Sequence, residues 1–157
     1  MADYPTKQLF GTAQTVFNSA SDIAAGNFSA AGTEFTNNDA AVPAAPYALA
    51  MAEFPDWAAA PVAGTVVELW GTLTNIDGTD DDTDAPSGTA SGGARFFGAW
   101  VIAAADALQR RTIVISLEGV TSGFVPYIKN GTGQNMNNDG GTSCVVKITP
   151  FTYGITV

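Results

Sequence analysis

The chain has 157 residues and a formal net charge of −9, from 15 acidic and 6 basic residues, with one cysteine and no histidine. That balance works against nucleic acid, whose phosphates are met by basic stripes, and against anionic membranes, and no apolar run reaches the ~18–20 residues of a membrane helix. With 46% hydrophobic and 13% charged residues, against a usual charged share of roughly 25%, the composition excludes disorder and describes one domain with a core of its own.

Residues 1–11 read as an extended N-terminal arm: Pro5 fixes a torsion, and Tyr4, Leu9 and Phe10 are apolar without helical spacing. Residues 12–157 are then expected to form a single domain. TAQTVFN at 12–18 predicts a first strand. Between 19 and 38 the chain is broken by Gly26, Gly32 and Asn-rich turns, with short strand-like pieces around Phe28 and Phe35. The stretch 40–61 is rich in alanine, which favours helix, but Pro43, Pro46, Pro55 and Pro61 interrupt it. YALAMAEF at 47–54 alternates as a strand, with a short helix as the competing reading.

The clearest pattern starts at Ala63, where AGTVVELWGTLTNI is β-branched and alternating. After an acidic loop at 77–93, four further strands are predicted at 94–102, 111–118, 124–130 and 143–157, separated by turn residues. About eight strands without a helical pattern between them predict an all-β fold, an antiparallel β-sandwich of jelly-roll type.

The residues that would carry catalysis are missing. Zinc sites and Ser-His-Asp or Cys-His nucleophiles need imidazoles or clustered cysteines, and this chain has no histidine and only Cys144, which reads as a small buried hydrophobe. No phosphate-loop or dinucleotide motif is present. Glu34, Glu53, Glu68 and Glu118 could form a two-carboxylate site only if the fold brought them together. The chain is therefore expected not to be an enzyme and to need no cofactor.

Asp80, Asp82 and Asp84 in the acidic loop are weak calcium candidates, because the EF-hand frame fails: Ala85 stands at its sixth position and Ser91 at its twelfth. Asn130-Gly131-Thr132 and Asn27-Phe28-Ser29 match a glycosylation pattern but read as turn chemistry, since the N-terminus lacks a signal-peptide pattern. Phe96, Phe97, Trp100, Trp70, Tyr127 and Phe151 are expected mainly in the core, with a sugar-binding face as the alternative.

Four stretches, PTKQLFGTAQTVFN, APVAGTVVELWGTLTNIDGTDDD, VPYIKNGTGQNM and VVKITPFTYG, resemble small jelly-roll structural proteins of tailed bacteriophages, in particular capsid decoration (cement) proteins. The likeness lies in strands and turns, and the loop at 79–93 is longer than in that group. The resemblance implies a virion protein, made in the host cytoplasm. It would sit on the outer surface of the capsid, bound to the major capsid protein and to further copies of itself, and would stabilise contacts between capsid subunits. Tyr4, Pro5, Leu9 and Phe10 of the arm, with Arg95, Arg110 and Arg111, are the expected partner contacts. The alternatives are a carbohydrate-binding jelly-roll module of a tail fibre or spike, and another tail or neck structural protein.

Overall fold

The computed structural model describes residues 6–19, 21–74, 84–136 and 143–155, and every regular element among them is a β-strand. In chain order these are β1 (Thr6–Phe10), β2 (Gln14–Ser19), β3 (Phe35–Thr36), β4 (Tyr47–Phe54), β5 (Val66–Leu73), β6 (Arg95–Val101), β7 (Gln109–Ser116), β8 (Gly123–Asn130) and β9 (Cys144–Ile155). One sheet has the order β1-β9-β4-β7, with β2 also on β9; the other has the order β3-β8-β5-β6. Every pairing is antiparallel. The all-β sandwich expected from the alternating runs is the fold observed, and YALAMAEF is a strand rather than a helix.

β4 shows why alanine does not dictate helix here. Ala48, Ala50 and Ala52 alternate inward with Phe54, all fully buried. Their small side chains leave room for Trp100 of the facing sheet, whose indole N–H donates to the Ala50 carbonyl at 3.1 Å. Phe54 meets the same indole edge-on, with ring centroids 5.6 Å apart. The rest of the core comes from both sheets: Val16, Phe17, Ile115, Val146 and Ile148 from the first, Val67, Leu69, Phe97, Phe124 and Ile128 from the second. Sheet pairing and indole packing override an intrinsic preference worth only a few tenths of a kcal/mol per residue.

Of the extended N-terminal arm expected at 1–11, residues 6–10 are among the described ones, and they form a strand of the sandwich. Lys7 to Phe10 lie in register with Gly154 to Phe151 of β9, and β2 continues along the same side of β9 from Ile148 to Cys144. β1 and β2 are thus one edge strand with a break at residues 11–13. Extended apolar residues beside an open strand edge find their backbone partners within the chain, so Leu9 and Phe10 belong to the sandwich.

The break is pinned by Asp39. Its carboxylate accepts backbone N–H bonds from Thr12 at 2.7 Å and Ala41 at 2.8 Å. Those bonds, Thr12 first, hold its pKa below the ordinary carboxylate value. Gly11 is needed beside it, because a Cβ there would stand 2.7 Å from both the Asp39 Cγ and a Val42 methyl.

Candidate functional site

In a two-layer sandwich the outward positions of each strand are ordinarily polar. The five-stranded sheet departs from that rule. Beside the polar Glu53, Arg110, Thr112, Ser116, Lys147 and Thr149, its outward residues include Gln8 and Phe10 on β1, Phe151 and Tyr153 on β9, Tyr47, Leu49 and Met51 on β4, and Val114 on β7. The register explains the clustering: Phe10 and Tyr47 flank Phe151 on either side, Gln8 is opposite Tyr153, and Leu49 is opposite Val114.

Phe151 is the centre of this group. It is 2% exposed although it points away from the core, because aromatic neighbours cover it. Tyr47 stacks on it at 5.7 Å and 27°, Tyr153 meets it edge-on at 5.8 Å, and Phe10 tilts against it at 5.6 Å. The covering residues are themselves open: Phe10 is 47% exposed, Tyr153 58% and Val114 61%. Between them lies a depression of about 240 Å³, lined by Gln8, Phe10, Tyr47, Leu49, Val114, Phe151 and Tyr153, none of them charged. It crosses four strands, roughly 14 Å at ~4.8 Å per strand spacing.

The opposite face also carries aromatics, and there Phe28 and Tyr127 are buried while Phe96 stays 50% exposed. Trp70 packs edge-on against Phe28 at 5.8 Å and Phe96 at 5.3 Å. Its indole N–H donates to Glu68 at 2.8 Å, and the Lys129 ammonium lies 5.3 Å from the Phe28 ring centroid and 6.0 Å from that of Trp70. Phe28 comes from the loop before β3 and is held by its own N–H to the Gly88 carbonyl at 2.7 Å. Of the six aromatics weighed between core and sugar-binding face, Phe97 and Trp100 are core. Trp70, Tyr127 and the half-exposed Phe96 belong to this face, and Phe151 to that of the five-stranded sheet.

The other expected site residues are dispersed. Tyr4, Pro5, Asp80 and Asp82 lie outside the described residues; Asp84 is exposed and its backbone carbonyl accepts the Gly93 N–H at 2.9 Å. Among the described residues no three potential metal ligands come together. Arg110 pairs with Glu53 on the outer side of the five-stranded sheet. Arg111 ties the sheets together, donating to the Val101 carbonyl at 3.0 Å and to the Gln109 side chain at 2.8 Å. Arg95 donates to the Glu118 carbonyl at 2.6 Å and covers Phe97.

Glu53 and Glu68 occupy opposite outer faces, and Glu34 accepts from the Thr74 hydroxyl at 2.6 Å. Asn130 is fully buried and turns the chain after β8, donating to the Ile23 and Gln134 carbonyls at 2.8 Å each. Cys144 lies inside the core, where desolvation raises its thiol to about 12. Comparison of the chain with protein-family models, curated proteins and solved structures finds no match.

Proposed function

We propose that this chain is a virion structural protein, a decoration protein that binds the outside of a phage capsid and works by assembly. The observation that carries an assembly role is the aromatic depression on the outer side of the five-stranded sheet, none of whose lining residues is charged. Apolar exposed patches of several hundred Å² on a rigid scaffold mark surfaces that become covered. β4 makes the point most directly: strands covered on both sides read as near-continuous apolar runs, and YALAMAEF is one.

The capsid assignment rests on the sequence resemblance. The strand order supports its jelly-roll part. With β1 and β2 counted as one strand, the eight strands fall into two four-stranded sheets whose chain crosses between layers in the manner of two Greek keys. On a shell, many modest contacts made in parallel would resist internal pressure far better than any one of them. The acidic loops would keep decorated particles apart.

Co-sedimentation with expanded, DNA-free heads of a phage encoding this chain tests the reading. Saturable binding in a fixed ratio to the major capsid protein is expected. Absence of head binding together with binding on a glycan array would replace it with the carbohydrate-binding alternative, for which the aromatic depression would serve as a stacking platform.

A further inference from the structure

We infer that the aromatic face of the five-stranded sheet is the contact between two copies of this chain, packed sheet on sheet about a two-fold axis. The inference rests on the assembly reading above and names the partner of that face.

Charge placement is the first argument. All six basic residues lie in strands, Lys7, Arg95, Arg110, Arg111, Lys129 and Lys147. Of the nine acidic residues among the described ones, only Glu53 and Glu68 do. The only acid in the five-stranded sheet is Glu53, and Arg110 pairs with it. Two molecules of charge −9 repel each other in most orientations. Among the described residues, the strands of this sheet present to a second copy no carboxylate but the paired Glu53, with Arg110 and Lys147 as the outward cations, while Phe10, Tyr47, Val114 and Tyr153 offer apolar contact.

Area is the second. With the exposure of Phe10, Tyr47, Met51, Val114 and Tyr153, the apolar patch amounts to on the order of 450 Å² per copy. A stable interface buries ~800 Å² per partner. The dimer is therefore weak in dilute solution and strengthens wherever copies are held close together, as on a particle. Geometry agrees, since a sheet face rather than an edge accepts a second sheet at ~10 Å with interdigitating side chains. A two-fold contact uses the same patch twice and closes, so growth stops at two.

Sedimentation velocity over a wide concentration range, without capsids, tests this. The expected result is a monomer–dimer equilibrium in the wild type that added salt strengthens, because salt screens the repulsion between acidic loops. Val114→Glu places like charges across the axis and should leave a monomer with an unchanged melting temperature; Tyr153→Thr, a milder change, should weaken dimerisation at least tenfold. Val101→Glu is the control, since Val101 is 60% exposed on the outer side of β6, in the other sheet. It should dimerise like the wild type.

A wild type that stays monomeric throughout overturns the inference, as does dimerisation lost in Val101→Glu but kept in Val114→Glu. Association that salt weakens would mean a charge-driven head-to-tail contact and overturns it too. A monomer that still saturates heads would leave the decoration reading standing without this dimer. A dimer that ignores heads would do the reverse.

Discussion

The two outer faces of the sandwich contain similar aromatic sets and treat them differently. Around Trp70 the chain supplies its own cover: Phe28 from a loop, the Glu68 carboxylate on the indole N–H and the Lys129 ammonium over the rings. Around Phe151 the cover consists of Phe10, Tyr47 and Tyr153, which are themselves left in water. The central ring is thus covered on both sides, but around Trp70 the cover includes a buried loop ring, Phe28, with Phe96 at 50% exposure as its open member, whereas around Phe151 all three covering rings are open. What separates the two faces is the loop that crosses one and not the other.

That difference can be broken most severely from the Trp70 side. Phe28→Ala removes a ring that is 8% exposed and uncovers Trp70, and is expected to cost about 3 kcal/mol, with the melting temperature falling by roughly 6–12 °C. Thermal denaturation followed by near-UV circular dichroism reads this directly. Tyr153→Ala on the open side should cost under about 1 kcal/mol, since that ring is already 58% exposed. Equal losses at the two positions would mean that the faces are equivalent after all.

Glu68→Gln sharpens the comparison at intermediate size. It keeps an acceptor for the Trp70 indole but removes the charge that strengthens the bond, at an expected cost of about 1 kcal/mol by urea denaturation. The smallest effect belongs to Asp39→Asn, at the break between β1 and β2, where a carboxamide oxygen replaces a carboxylate that accepts two backbone N–H groups. Because the folded pKa of Asp39 is lowered, its stabilisation is present above the unfolded value of roughly 3.9 and is lost as pH falls through the folded one. Wild type and variant should differ slightly in melting temperature at neutral pH and converge in acid.

The strands were legible because period-two alternation survives in single segments: residues 47–54 were delimited from sequence with the bounds the structure gives. The partner of β1 was not legible. Thr6–Phe10 pairs with residues more than 140 positions away, and no local pattern reports such a pairing. The open face was missed for another reason. Tyr47, Leu49, Met51, Val114 and Tyr153 look like ordinary strand hydrophobics until the sheet order shows them all on one outer side. A usable signal was present in YALAMAEF, apolar in both phases of its alternation, which asks for cover on both faces.

β9 also sets the time at which this protein can become itself. It lies between β4 on one side and β1 with β2 on the other, yet it is synthesised after every other described strand. Until it emerges from the ribosome, β1 and β2 have no neighbour in their sheet, and β4 has only β7. Until β9 is made, the nascent chain therefore carries unpaired strand edges and exposed aromatics, the condition in which chains associate wrongly. Loss of the last dozen described residues would not trim this protein but prevent it, because Cys144, Val146 and Ile148 of the core leave with them.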